Sequence, residues 1–327
     1  MTRNEFAAKL YDLIETVAKS IDPNVNIIAH QIDKINVTYD AYTIRLPGKS
    51  LAPSIYPDRI IEDYFNDTLD DMLELPDDFV DQFSEQLKDM LNNMSDEIEQ
   101  KIKNMLMNPS NFDDIKDMIY PILISINNNQ TKLNTTPYIP LVDDLAITFK
   151  IIAHNSTEST MTCDIDNKML TVWNKTIDEI NQVALQNIKK PKFAQAFPIM
   201  TMVFGLPYIS DDTFNEHFHP DLIKISNRMF VVSNRYDKYG ASMILYKDLM
   251  EKICNDLNVH ELYIIPASVH EVIVAPIKTN ITFEEQKEYE KFMKQMVTDV
   301  NDHEVPLEEQ LSNNIYIYDG NSLQTIN

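Results

Sequence analysis

Glycine is nearly missing from this chain. The 327 residues hold four, Gly48, Gly205, Gly240 and Gly320, where an average usage of about 7% would supply about 23. Loops that cradle phosphate groups need several glycines close together, because the backbone must come up against the ligand. These four are scattered, so a P-loop, a dinucleotide-binding fingerprint and a kinase-type glycine-rich loop are excluded. Most nucleotide-dependent chemistry on familiar folds goes with them, and no cofactor is expected. Cysteine is as scarce. Cys163 and Cys254 alone make neither a disulfide framework nor a zinc pattern, and they read as two buried thiols of a cytoplasmic protein. No apolar run approaches the roughly 18 residues of a membrane span, so no membrane partner is expected. The opening stretch MTRNEFAAKLYDLIETVAKS has no continuous apolar core. Its Phe6, Leu10, Leu13, Ile14 and Val17 fall at helical spacing, which marks an amphipathic helix and not a signal peptide.

Positive charge is also in short supply. Lys and Arg number 28 against 51 Asp and Glu, for a net charge of −23. Direct nucleic-acid binding by a basic face is therefore not expected. The acid is concentrated. Between Asp58 and Gln100 fifteen Asp and Glu stand against Arg59 and Lys88. Such a segment is either a solvated helical face that aids solubility or a docking surface for a basic protein partner, with mimicry of nucleic acid as one form of it.

What is present is enough for a core, with 44% hydrophobic and 24% charged residues. Alternation in VNIIAHQIDKINVTYDAYTIRL predicts two or three antiparallel strands over 25–46. LPGKSLAPSIYP follows as a loop, then a helix from about Asp58 to Thr68. Apolar residues from Phe79 to Leu106 recur at three- and four-residue steps and predict one long helix over 78–107, between Pro76 and Pro109. Its methionines are core or an adaptable groove. Capping boxes at Thr176–Glu179 and Thr282–Glu285 open two further helices. YPILISI, LAITFKIIAH, STMTCDI, AFPIMTMVF, RMFVVSN, ELYIIP, SVHEVIVAP and NNIYIYD read as strands. Helices and strands interleave without a regular βαβ beat, so the fold class is α+β, built around a largely antiparallel sheet. The predicted division is a helical, acidic N-terminal region over 1–117 and a mixed domain over 118–327.

The most chemical stretch is IIPASVHEVIVAP, residues 264–276. As a strand from 268 onward it would put Ser268 and His270 on one face, about 6.6 Å apart, and Glu271 on the other. A Ser–His–Glu triad within the run is then barred. An orienting carboxylate would have to come from Asp143, Asp144 or Asp237. The plainer reading is a turn, with Pro266 ending a strand, Ser268 bonded to the turn backbone and His270 a hydrogen-bonded inner residue. Glu216-His217-Phe218-His219 offers His217 and His219, with Glu216 or Asp221, as weak metal ligands, short of the three or four a zinc site needs. No metal is expected on that basis. His303 lies at a helix end, where it can face the last carbonyls. Arg45 and Lys49 are candidates for anion recognition, or Arg45 for an ion pair that fixes its loop. Tyr56 is a candidate ligand-facing phenol or an anchor for the following helix, and Trp173 a hydrophobic anchor.

Three stretches resemble a bacterial family, common in gram-positive anaerobes, that is catalogued only as a domain of unknown function. They are IRLPGKSLAPSIYPDRIIEDYF (44–65), YPILI with DDLAITFKII, and YGASMILY…LYIIPASVHEVIVAP…LSNNIYIYD (239–319). Ile44, Arg45, Gly48, Pro53, Ile55 and Tyr56 stand where that family's N-terminal signature has them. A fainter likeness links the second half to another uncharacterised bacterial family with a helix–strand–Pro–strand ending. The resemblance implies an intracellular bacterial or mobile-element protein of shared fold and no activity. The functional expectation is a non-catalytic protein-interaction module with an acidic surface. The alternatives are a hydrolase or other acid–base enzyme centred on His270, and an acidic antagonist of a nucleic-acid-binding protein.

Overall fold

The computed structural model describes residues 1–49, 52–70, 72–93, 112–154, 160–199, 229–277 and 281–326. The fold is α+β with antiparallel sheets. The chain divides into two compact units, Met1–Lys34 with Thr38–Pro109, and Ile35–Val37 with Ser110–Asn327.

Among the described residues the first unit has three helices and a small sheet. Helix α1 (Arg3–Ile21) is opened by a capping box in which Thr2 and Glu5 satisfy each other's backbone N–H. Its buried stripe is Phe6, Leu10, Ile14 and Val17. Strands β1 (Asn26–Asp33) and β2 (Thr38–Arg45) form a hairpin in register from Asn26↔Arg45 to Asp33↔Thr38, and β3 (Ser54–Ile55) adds to β2. Helix α2 (Pro57–Phe65) starts on a proline, whose missing N–H costs nothing at a first helical position. Helix α3 (Asp77–Asn92) buries Phe79, Phe83, Leu87 and Leu91 at four-residue spacing. The predicted continuation to residue 107 lies outside the described residues. Phe79 is the hub of this core. Its ring lies 6.3 Å from Phe6, 5.0 Å from Phe65, 5.3 Å from Tyr64 and 5.4 Å from Phe83. It therefore ties all three helices together through aromatic contacts.

The second unit holds two sheets. In the first, β4 (Ile119–Ser125) pairs with β6 (Leu145–His154), and β6 also pairs with β5 (Ile139–Val142) along its first half and with β7 (Thr160–Asp164) along its second. Pro121 is tolerated because, among the described residues, β4 is paired on one side only. The second sheet has six strands in the order β13-β12-β10-β11-β9-β8, namely β8 (Ala194–Pro198), β9 (Phe230–Asn234), β10 (Leu262–Pro266), β11 (Val272–Pro276), β12 (Tyr316–Tyr318) and β13 (Leu323–Thr325).

Among the described residues the helices of this unit are α4 (Phe112–Ile115), α5 (Gln130–Leu133), α6 (Asn167–Trp173), α7 (Ile177–Asn187), α8 (Lys247–Leu257) and α9 (Phe283–His303). Both predicted capping boxes, at Thr176 and Thr282, are formed. His303 Nδ1 lies 2.8 Å from the Asp299 carbonyl, at the helix end where it was placed. Helix α9 lays Met293 and Val297 on Tyr263, Ile265 and Ala275 of the sheet and on Ile315 just before β12. Trp173 is buried and meets Phe112 at 5.7 Å.

Phe79→Ala should cost the full chain about 3–5 kcal/mol, since it removes a ring from the centre of a packed aromatic cluster. A urea unfolding curve checks this. A loss below about 1 kcal/mol would mean that the cluster can close over the gap.

Candidate functional site

Residues 267–271 form the turn of the β10–β11 hairpin. The strand predicted from Ser268 onward begins only at Val272. Val269 and Val272 bracket polar residues and imitate part of an alternating pattern, but the backbone bonds across the loop instead of along a ladder. The N–H groups of Ala267 and Ser268 both donate to the Glu271 carbonyl, at 3.3 and 3.1 Å. Ser268 Oγ accepts from the His270 backbone N–H at 3.0 Å. Val269 N–H reaches the Glu309 carbonyl at 2.7 Å, and Ser233 Oγ donates to the His270 carbonyl at 2.9 Å. Such local side-chain bonds are how serine stabilises tight turns.

The His270 imidazole has both nitrogens engaged. Nδ1 accepts from the backbone N–H of Tyr239 at 3.0 Å. A backbone amide only donates, so Nδ1 carries the lone pair and the proton sits on Nε2. Nε2 faces Glu309 Oε1 at 3.5 Å. Burial holds the imidazole below its ordinary value, and Glu309 pulls it back only in part. Tyr239 is itself in the left-handed region, φ 57°, and its ring lies 5.5 Å from His270. Burial raises the carboxyl of Asp237, against the pull of His270. Burial also raises that of Glu271, with Asp237 adding to it.

The structure thus gathers His270, Glu309, Tyr239 and Asp237, and leaves Ser268 bonded to the backbone and off the ring. Of the distant carboxylates considered, Asp237 is at the site. Asp144 is committed elsewhere, accepting from Ser312 Oγ at 2.6 Å and from Tyr316 Oη at 2.7 Å. Glu309 and Tyr239 carried no signal, because their link to His270 spans a long stretch of chain. The neutral imidazole, held between a donor and a carboxylate, acts here as a connector of three backbone segments.

Gly240 makes the arrangement possible. A Cβ there would lie 2.2 Å from Ser233 Oγ, 2.6 Å from the Asn234 amide nitrogen and 2.6 Å from the His270 carbonyl oxygen. No side chain fits between those groups.

Arg45 ends β2, is exposed, and makes no ion pair with a described residue. The loop-fixing ion pair proposed for it is therefore not formed there. Lys49 closes the turn after it by donating its N–H to the Leu46 carbonyl at 3.2 Å. Tyr56 caps the start of α2. Its ring lies 5.6 Å from that of Tyr39, with Lys34 Nζ 5.2 Å from its centre. That is an anchoring position. His217 and His219 lie outside the described residues, and among the described residues no group of three His, Cys, Asp or Glu is placed to hold a metal.

Residues 3–320 match the model of a family of unknown function, DUF5688. The chain belongs to that family. Membership fixes the fold as a shared one and assigns no activity. Neither the curated proteins nor the solved structures contain a match.

Two outcomes follow from this geometry. Gly240→Ala should cost about 1–3 kcal/mol, because overpacking meets backbone on two sides. A urea midpoint close to wild type would refute the close approach. His270 should titrate below about 6.5 and show the Nε2–H tautomer in a nitrogen-15 imidazole spectrum. With its pKa lower in the folded state, the unfolded chain takes up the proton first as pH falls. The contribution of His270 is complete above about pH 6.5 and is lost as pH drops through that value towards the folded one. Asp237 and Glu271, held above their usual range, act in the opposite sense. Comparison with His270→Gln isolates the imidazole, and the variant should lose less stability between pH 7 and pH 5.5 than wild type.

Proposed function

We propose that the protein is a non-catalytic interaction module whose first unit docks a basic protein through the outer face of α3. One observation carries the reading. Asp77, Asp81, Glu85 and Asp89 stand at four-residue spacing along α3, all exposed. The row spans about 18 Å in steps of about 6 Å. No described cation pairs with any of its members, and Lys88 is the sole base on the helix. Like charges four residues apart each cost a helix about 0.2–0.5 kcal/mol. Asp77 gains from the helix dipole, but Asp89 lies in the last turn, where a carboxylate is unfavourable and no base compensates. The row lowers the helix's own stability, and a cationic partner reverses that loss.

The seating of His270 supports the same reading over an acid–base enzyme, since Nδ1 is committed to the Tyr239 amide and Nε2 faces the Glu309 carboxylate. The charge density decides between kinds of partner. A strand of duplex DNA carries one charge per about 3.4 Å of axis, nearly twice the density of this row. The carboxylates alone do not reproduce a nucleic acid, so the antagonist reading ranks below a general basic protein partner. The two free thiols, Cys163 and Cys254, suit the bacterial cytoplasm. No helix of the described residues is long and apolar enough to cross a membrane.

The test is a fluorescence titration with a lysine- and arginine-rich peptide at rising salt. Binding should weaken with salt and be lost in the combined Asp77→Asn, Asp81→Asn, Glu85→Gln and Asp89→Asn variant. A control neutralises Glu284, Glu288, Asp299 and Asp302, which are exposed on α9. It removes the same charge and should bind nearly as wild type. Equal losses in both variants would reduce the effect to net charge and sink the proposal. The α3 variant should also be about 1 kcal/mol more stable, from three relieved pairs.

A further inference from the structure

Strand register sets a row of polar side chains across the smaller sheet of the second unit. Tyr120 of β4 is opposite Lys150 of β6, and Lys150 is opposite Asp164 of β7. Directly opposed residues share a face. Lys132, from α5, reaches the same carboxylate. Its Nζ lies 2.6 Å from Asp164 Oδ2, while Lys150 Nζ bonds Oδ1. Two ammonium groups therefore share one carboxylate, which leaves an excess positive charge.

That charge is held where it is costly. Both lysine side chains are 9% exposed. Each ammonium has three N–H donors, and Asp164 is the one acceptor each finds among the described residues. The Tyr239 ring covers Lys150, with Nζ 5.1 Å from its centre. A ring face offers an ammonium about 0.5–2 kcal/mol and no directed acceptor. Asp164 is itself 37% exposed, so the cluster opens to solvent on the carboxylate side. A purely structural ion pair would need one lysine, and a second near-buried ammonium adds desolvation cost without a second counter-charge.

We propose that Lys132 and Lys150 together bind a small oxyanion, the carboxylate or phosphate group of a ligand, beside Asp164, with the Tyr239 ring closing one side. The anion supplies the missing counter-charge and accepts the free N–H donors through charge-assisted bonds. Asp164 spaces the two ammonium groups and limits affinity by its own charge. The proposal is independent of the docking face on α3, which lies in the other unit.

Isothermal titration of the full chain with inorganic phosphate, and separately with acetate, at fixed ionic strength tests it. Saturable binding of either probe is expected, and the probe that binds identifies the group. Lys150→Met should weaken binding at least about tenfold. Asp164→Asn should tighten it about tenfold, because it removes a like charge next to the anion and keeps the side-chain shape. A scaffold role for Asp164 alone predicts the reverse, a loosened site and weaker binding. If Lys150→Met does not fold, the direction of the Asp164→Asn change decides. Absence of binding for both probes, or binding by Asp164→Asn that is unchanged or weaker, overturns the proposal.

Discussion

The close approach at Gly240 is the constraint on which the second unit's chemistry rests. With no Cβ at that position, the end of β9, the hairpin turn and the helical turn Gly240–Leu245 share one small volume. Hydrogen bonds to backbone carbonyls then fasten them, from Ala241 N–H to Val269 and from the Ser233 hydroxyl to His270. Tyr239, the residue before Gly240, stands in the left-handed region, φ 57°, at a cost of about 1–2 kcal/mol for a residue with a side chain. The bond from its N–H to His270 Nδ1 offsets part of that cost. A chain so poor in glycine places one where nothing else fits, which explains the position without any appeal to a ligand.

A second set of interactions closes the unit through polar groups buried far apart in sequence. Asp144 receives the hydroxyls of Ser312 and Tyr316. Burial above all, with the Asp144 charge adding, holds the Tyr316 phenol far above its ordinary range, so it remains a donor. Asn301 donates to the Ser312 carbonyl and to Asn313 Oδ1, and Gln310 donates to the carbonyls of Asn301 and Val305. Asn36 donates to the carbonyls of Leu307 and Gln310 and exchanges bonds with Asn129. Each of these amides makes at least two hydrogen bonds, and removing one member would leave its partners unpaired at about 1–3 kcal/mol apiece. These groups specify one arrangement of the segment 301–316 against the smaller sheet.

What was legible in the sequence was local. The capping boxes at Thr176 and Thr282 are legible because donor and acceptor sit three residues apart. The stripe of α3 is legible because Phe79, Phe83, Leu87 and Leu91 repeat every four residues. Most strands are legible, but the short β3, β5 and β13 carry too few residues to show alternation, and β8 ends at Pro198, inside the apolar run expected to be a strand over 196–204. The His270 turn was half legible. Pro266 and Ser268 announced it, while Val269 imitated a strand face. Its true partners, Glu309 and Tyr239, depend on tertiary placement. The Lys132–Asp164–Lys150 cluster left no trace for the same reason. Three elements contribute one residue each, and none of them forms a motif with its own neighbours.

The seating of the imidazole at 270 sets what an acid–base role would cost it. To act as a base it would have to release Nδ1, which would strand the Tyr239 amide at about 1–3 kcal/mol. To act as an acid it would have to turn its Nε2 proton away from Glu309. Either move loosens Tyr239, and the ring of Tyr239 is what lies against Lys150. The same seating therefore disfavours proton transfer at His270 and stiffens one wall of the cationic cluster next to it. A fixed wall reduces the ordering cost of taking up an anion there. The hairpin turn and the lysine cluster are thus joined through one residue, Tyr239, which bonds His270 with its backbone and faces Lys150 with its ring.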